Sequence, residues 1–205
     1  MAQVVVINSV PYTGCENIVF YKVAADTAEE YKADETTIYD VPELVAVSYN
    51  VSATDTNFYA NNVKKITDTT FTPTASFTLS GDDEALEKFI FGKVVDGAAL
   101  KDNLGSAPEV GMFYTLNKAK NKWMIRQILK ATCSKGDMTV DTKGESTSFQ
   151  TSVTNVSPLF SEHFKTYVRE FYSENPVFEG HTLAEVVAIL KANPAETFET
   201  WPDEV

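Results

Sequence analysis

The sequence predicts a mainly β protein: two packed antiparallel sheets forming a sandwich or barrel, a flanking helix, and a helical appendage at the C-terminus. Two observations carry this. The segments Leu44 to Thr54 and Thr70 to Ser80 alternate apolar and polar residues with period two, the signature of half-buried strands. After residue 160 the apolar residues recur at helical spacing instead, which divides the chain into a β domain, 1–160, and a helical extension, 161–205. A chain of 205 residues can bury roughly 70% of its unfolded surface in one main domain.

Taken in order, Met1 to Val10 has a short apolar run, Val4 to Ile7, without a basic flank or cleavage site, and reads as a first strand, with synthesis in a cytoplasm. Asn17 to Val23 reads as a buried strand. Ala24 to Asp40 is acidic (Asp26, Glu29, Glu30, Asp34, Glu35, Asp40) and reads as a loop. Pro42 punctuates the entry to the first alternating segment. In that segment Val45, Val47, Tyr49, Val51 and Ala53 oppose Ala46, Ser48, Asn50, Ser52 and Thr54. The second sets Phe71, Pro73, Ala75, Phe77 and Leu79 against Thr70, Thr72, Thr74, Ser76 and Thr78. Neither segment is charged past Leu44, although solvent-facing strands usually carry charge to discourage edge association. Between them, Asp55 to Thr69 reads as a long loop with Phe58 and Tyr59, the turn-prone Asn61-Asn62, and Lys64 and Lys65.

Ser80-Gly81-Asp82-Asp83 has the form of a helix start with Ser80 as N-cap, and the capping role accounts for its aspartates without a metal. The helix Asp82 to Phe91 places Leu86, Phe89 and Ile90 on one face and ends at Gly92. Lys93 to Pro108 is a loop. Glu109 to Asn117 and Lys122 to Cys133 form a hairpin turning through Lys118-Ala119-Lys120-Asn121, where Lys118, Lys120 and Lys122 make the only basic knot in the chain. Ser146 to Val156 is a further uncharged strand. Phe160, Phe164, Tyr167, Val168 and Phe171 fit a helix that breaks at Asn175-Pro176. Thr182-x-x-Glu185 is a capping box for a second helix ending at Asn193-Pro194, followed by an extended tail around Phe198 and Trp201.

The formal charge of −12 argues against groove-hugging nucleic-acid binding. It is concentrated: Pro158 to Val205 holds nine acidic residues against three basic ones. Cys15 and Cys133 are too few for a disulfide framework and read as buried thiols. The chain has no phosphate-binding Gly-rich loop, GxSxG elbow, HExxH or paired CxxC, and no acid within an apolar strand. His163 reads as a helix-surface residue and His181 as part of a cap. The sequons at Asn50 and Asn155 carry little weight without a secretory signal. No catalytic residue, metal or cofactor is expected, and no stretch is long and apolar enough to span a bilayer.

The order of segments resembles that of the major tail proteins of long-tailed bacteriophages infecting Gram-positive hosts, the tail tube subunits. The likeness lies in Val45 to Ser52 leading into Asp55-Thr56-Asn57-Phe58-Tyr59-Ala60, and in Phe71 to Ser80 running into an acidic-capped helix. It continues through the Met112 to Cys133 hairpin and Lys143-Gly144-Glu145-Ser146-Thr147-Ser148-Phe149-Gln150-Thr151. It covers about residues 15 to 160, and the segment beyond Ser161 has no counterpart. The resemblance implies a virion protein, assembled in the bacterial cytoplasm as hexameric rings that stack into a tube. Its expected neighbours are other copies and the tape measure, tail terminator and distal tail proteins. DNA would pass through a lumen lined by hydroxyl faces, since Lys or Arg there would grip phosphates. It also places the 55–68 loop between rings, with Asp55, Thr56, Asn57, Phe58 and Tyr59 as contact residues, and suggests that Asp55, Asp68, Asp141 and Glu145 make the lumen negative. The acidic C-terminal part is expected outside the tube or in contact with a neighbouring ring. The rival reading is a monomeric β-sandwich binding module, an adhesin or a carbohydrate-binding domain.

Overall fold

The structure, a computed structural model, describes residues 10–42, 44–60, 63–103, 105, 107–137 and 151–202. It is mainly β, as the alternation predicts. Ten strands occur among these residues: β1 Tyr12–Asp26, β2 Tyr31–Val41, β3 Leu44–Ala60, β4 Val63–Leu79, β5 Val94–Asp96, β6 Ala99–Lys101, β7 Val110–Lys118, β8 Lys122–Lys135, β9 Ser152–Leu159 and β10 Val168–Tyr172. Two α-helices, α1 Glu84–Phe91 and α2 Leu183–Ala192, complete the fold with a short 3₁₀ turn, Pro176–Phe178. The main sheet is antiparallel in the order β2-β1-β7-β8-β9-β4-β3, with β10 also on β8; β5 and β6 form a separate ribbon.

The main sheet curls back on itself until Cys15 Sγ of β1 lies 3.8 Å from the Val45 carbonyl oxygen of β3. The inside of the curl is one core, with Ile18, Phe20, Phe77, Met112, Tyr114, Ile128 and Val156. Helix α1 packs into it through Leu86, Phe89 and Ile90, with the Phe89 ring 4.5 Å from Tyr39 of β2. A second core lies on the opposite face of β1, β7 and β8, where Val19, Tyr21, Phe113, Ile125 and Leu129 meet Phe178, Val186, Ile189, Leu190 and Phe198 of the C-terminal segment. Strand β1 therefore buries both faces, which explains the unbroken apolar run Ile18-Val19-Phe20-Tyr21.

Five readings of the sequence need correction, the first being Lys93 to Pro108, read as a loop, which carries the short paired ribbon β5–β6. The acidic stretch read as a loop is largely strand β2: Tyr31 and Ala33 point inward while Lys32 stays exposed, and charge on an end strand guards its open edge. The loop read between the alternating segments is ladder, since β3 and β4 stay paired from Leu44↔Leu79 to Ala60↔Val63. The helix read over 160–171 is a short excursion followed by strand β10. Leu159 pairs with Lys130 and Val168 with Ile128, so β9 and β10 lie end to end along β8, with 160–167 looping out between them. A Ser161↔Thr166 bridge closes that excursion. Finally, the N-cap of α1 is Asp83, whose Oδ1 accepts the Leu86 amide at 2.9 Å, and not Ser80. Gly92 ends this helix in the left-handed region as read, and the Thr182/Glu185 capping box opens α2. The reading of Met1 to Val10 as a strand falls mainly outside the described residues.

Candidate functional site

Direct pairing builds one continuous surface across four strands. On β3 and β4, Thr54 faces Thr70, Ser52 faces Thr72, Asn50 faces Thr74 and Ser48 faces Ser76. Ser76 pairs in turn with Asn155 of β9, which pairs with Ser134 of β8, and Ser157 pairs with Thr132. Residues directly opposite one another share a face, so these side chains form a charge-free hydroxyl and amide surface, exposed or half-buried throughout. The hydroxyls partly satisfy each other: Ser48 and Ser76 Oγ lie 2.8 Å apart, and Ser52 Oγ donates to the Thr72 carbonyl at 3.2 Å. The inward row, Pro73, Ala75, Phe77 and Leu79 with Ser152, Thr154 and Val156, carries the core. The outer faces of β1, β7 and the first half of β8 are covered by the C-terminal segment; this surface is not.

The β3–β4 hairpin then outgrows its support. Among the described side chains of β3, Tyr49 is the last that packs on the body, its ring 4.7 Å from the Arg126 guanidinium. Arg126 donates to Glu170 Oε1 at 2.7 and 2.8 Å and to the Tyr114 hydroxyl at 3.4 Å. Burial pushes the Glu170 carboxyl up, but hydrogen bonds from Tyr172 and Arg126 outweigh it and hold the group below the usual carboxylate range. Beyond this shoulder 51–57 and 69–72 are exposed. Val51 is 45% and Phe71 57% exposed, and both belong to the apolar row that is inward nearer the body. A free two-stranded ribbon is marginally stable in water.

The contact residues expected from the sequence all lie on this arm, within strand rather than loop. Asp55, Thr56 and Asn57 pair with Thr69, Asp68 and Thr67, and Asp55 Oδ1 accepts from Thr69 Oγ1 at 2.7 Å. Phe58 and Tyr59 hold register positions opposite Ile66 and Lys64. Of the residues expected to charge a lumen, Asp55 lies in the row of Val51 and Ala53, whereas Asp68 sits opposite Thr56, one register position away; Asp141 and Glu145 lie outside the described residues.

The remaining polar groups serve the fold. Gln127, fully buried, donates to the Tyr21 hydroxyl at 2.7 Å and to the Pro194 carbonyl at 2.8 Å. Arg169 donates to Gln127 Oε1 at 2.6 Å and to the Pro194 carbonyl at 2.9 Å. Burial pushes the Arg169 guanidinium down from its ordinary value, against the opposing influence of Tyr21, Tyr31 and Glu196 nearby. His163 lies in the excursion rather than on a helix, its Nδ1 buried and unpartnered, and His181 stacks on Trp201 at 3.4 Å. Cys133 is buried and its thiol is pushed up to about 12 by desolvation, while Cys15 is half-buried. Among the described residues no three His, Cys, Asp or Glu gather closely enough to hold a metal, and no helix is long and apolar enough to cross a membrane.

No protein-family model matches the sequence, and no curated protein matches it.

Proposed function

We propose that this chain is a self-assembling structural subunit of a phage tail tube, stacking as rings around a lumen that conducts DNA, without catalysis or a cofactor. The observation that carries the reading is the uncharged four-strand surface continued by an arm whose apolar row is left in water. A lumen wall for DNA must avoid cations, because each phosphate neutralised by Lys or Arg adds to the grip on the polymer. Long uncharged strand edges invite pairing with another chain and are normally blunted by charge or bulges; β3 carries neither from Ala46 to Thr54. With the hydroxyl surface inward, the C-terminal segment that covers β1 and β7 faces the outside of the tube, beside a host cytoplasm during assembly and in the virion tail afterwards.

The binding-module reading draws less support: among the described residues the open surface carries no aromatic ring on which a sugar could stack. Negative-stain electron microscopy and light scattering on the concentrated protein test the two. Rings or hollow filaments are expected. A monomer at every concentration, together with a ligand found by screening, would replace the tube with the module.

A further inference from the structure

The main sheet has two unlike ends. The arm leaves toward the end where β7 turns into β8, because β4 runs antiparallel to β9 and ends at Leu79, opposite Ser152. The other end, where β7 begins, carries the ribbon β5–β6. Lys93 tethers the ribbon, its Nζ 2.7 Å from Glu87 Oε2 of α1 and 3.6 Å from Asp102 Oδ1, so entry and exit are held at one point. Gly92, just before the ribbon, abuts Pro108, just before β7. Pairing runs Val94↔Lys101, Val95↔Leu100 and Asp96↔Ala99 around a turn with Gly97 at φ 63°. Consecutive strand residues point to opposite faces, so the ribbon shows an apolar side chain on both, Val94 at 53% and Val95 at 55% exposure.

Among the described residues two ribbons thus project, each marginal alone and each exposing apolar residues, at opposite ends of the same strands. We infer that the β5–β6 ribbon, through its Val95 face, is the surface that receives the Val51–Phe71 face of the arm from a second copy. Such a contact is heterologous: donor and acceptor differ, so each copy uses both and the assembly propagates along one axis. The inference rests on the tube reading and gives it an axial contact.

The test uses full-length protein in a Cys15→Ser background, leaving only buried Cys133. One preparation carries Phe71→Cys, a second Val95→Cys, and a short bis-maleimide links thiols across a contact. A covalent dimer from the mixture, at least tenfold above either preparation alone, is expected; equal yields overturn the inference. Val95→Asp is compared with the unsubstituted protein by electron microscopy, with circular dichroism as the check on folding. Filaments from the latter and single rings or monomers from folded Val95→Asp support the contact. Filaments from both overturn the ribbon's role and leave the tube standing; filaments from neither overturn both.

Discussion

Single residues reveal where the fold has no slack. Gly111 pairs with Tyr21 across β1 and β7, and a β-carbon there would lie 2.2 Å from the Tyr21 ring, which is itself fully buried and bonded to Gln127. Gly111→Ala is expected to destabilise by about 3 kcal/mol, the upper range for overpacking, measured by urea denaturation. At the β7–β8 turn Lys120 and Asn121 both have positive φ, 61° and 55°, the pattern of a type I′ turn. Lysine is strained there, so Lys120→Gly should raise stability by about 1 kcal/mol in the same assay. Gln127→Leu takes from buried Arg169 its Gln127 acceptor, leaving it only the Pro194 carbonyl, and removes a donor from the Tyr21 hydroxyl, which keeps its bond from Tyr31; the change should cost roughly 3 kcal/mol.

At the scale of elements, α1 is tied to the end of β8 by Lys135, which pairs with Asp82 at 2.7 Å and with Glu87. Burial pushes both carboxyls up, yet hydrogen bonds from Lys135, joined at Asp82 by Ser152 and at Glu87 by Lys93, leave them below their ordinary values. Groups lowered in the folded state contribute stability above their unfolded pKa and lose it as pH falls through the folded value. Thermal midpoints should therefore drop as pH falls below about 4.5, and Lys135→Met should flatten that drop. The Lys135 ammonium is raised by the same two partners, Asp82 first, so its contribution is present below about pH 10.4 and fades only above it. The arm behaves differently, because its residues 51–57 and 69–72 are exposed and lie beyond the body of the sheet. Deleting Asn57 to Asn62 should leave the thermal midpoint within a few degrees and abolish filaments, scored by electron microscopy; filaments of normal length would exclude the arm from assembly.

For the whole molecule, the uncharged surface is a property that no element has alone. Converting Ser52 and Thr74 to Lys leaves the core untouched, since both are exposed, and should leave assembly intact. On the tube reading the assembled particles then retain DNA in a salt-sensitive way, measured by co-sedimentation at two ionic strengths. Particles that bind DNA equally with and without the substitutions would place this surface away from the lumen.

Period-two alternation, a helix cap followed by an i, i+3, i+4 stripe, and a Thr-x-x-Glu box are local rules, obeyed within a turn or a few residues. They made the strands β3, β4, β7 and β8 and both helices legible from residue order alone. The hydroxyl row of β3 and β4 was legible too, as a row, because alternation assigns partners to faces without saying what covers them. Three features waited for the tertiary structure, each because long-range pairing outvoted a local signal. Acidic β2 became a strand because β1 offered it an edge, and Asp55 to Thr69 became ladder because β3 and β4 were already in register. The aromatic spacing from Phe160 to Phe171 matched a helix by count, but β8 still had an open edge for the last four of those residues, 168–171, to complete. Which face stays open was likewise decided only in three dimensions, where α2 covers one half of the sheet's outer face and leaves the hydroxyl half to water.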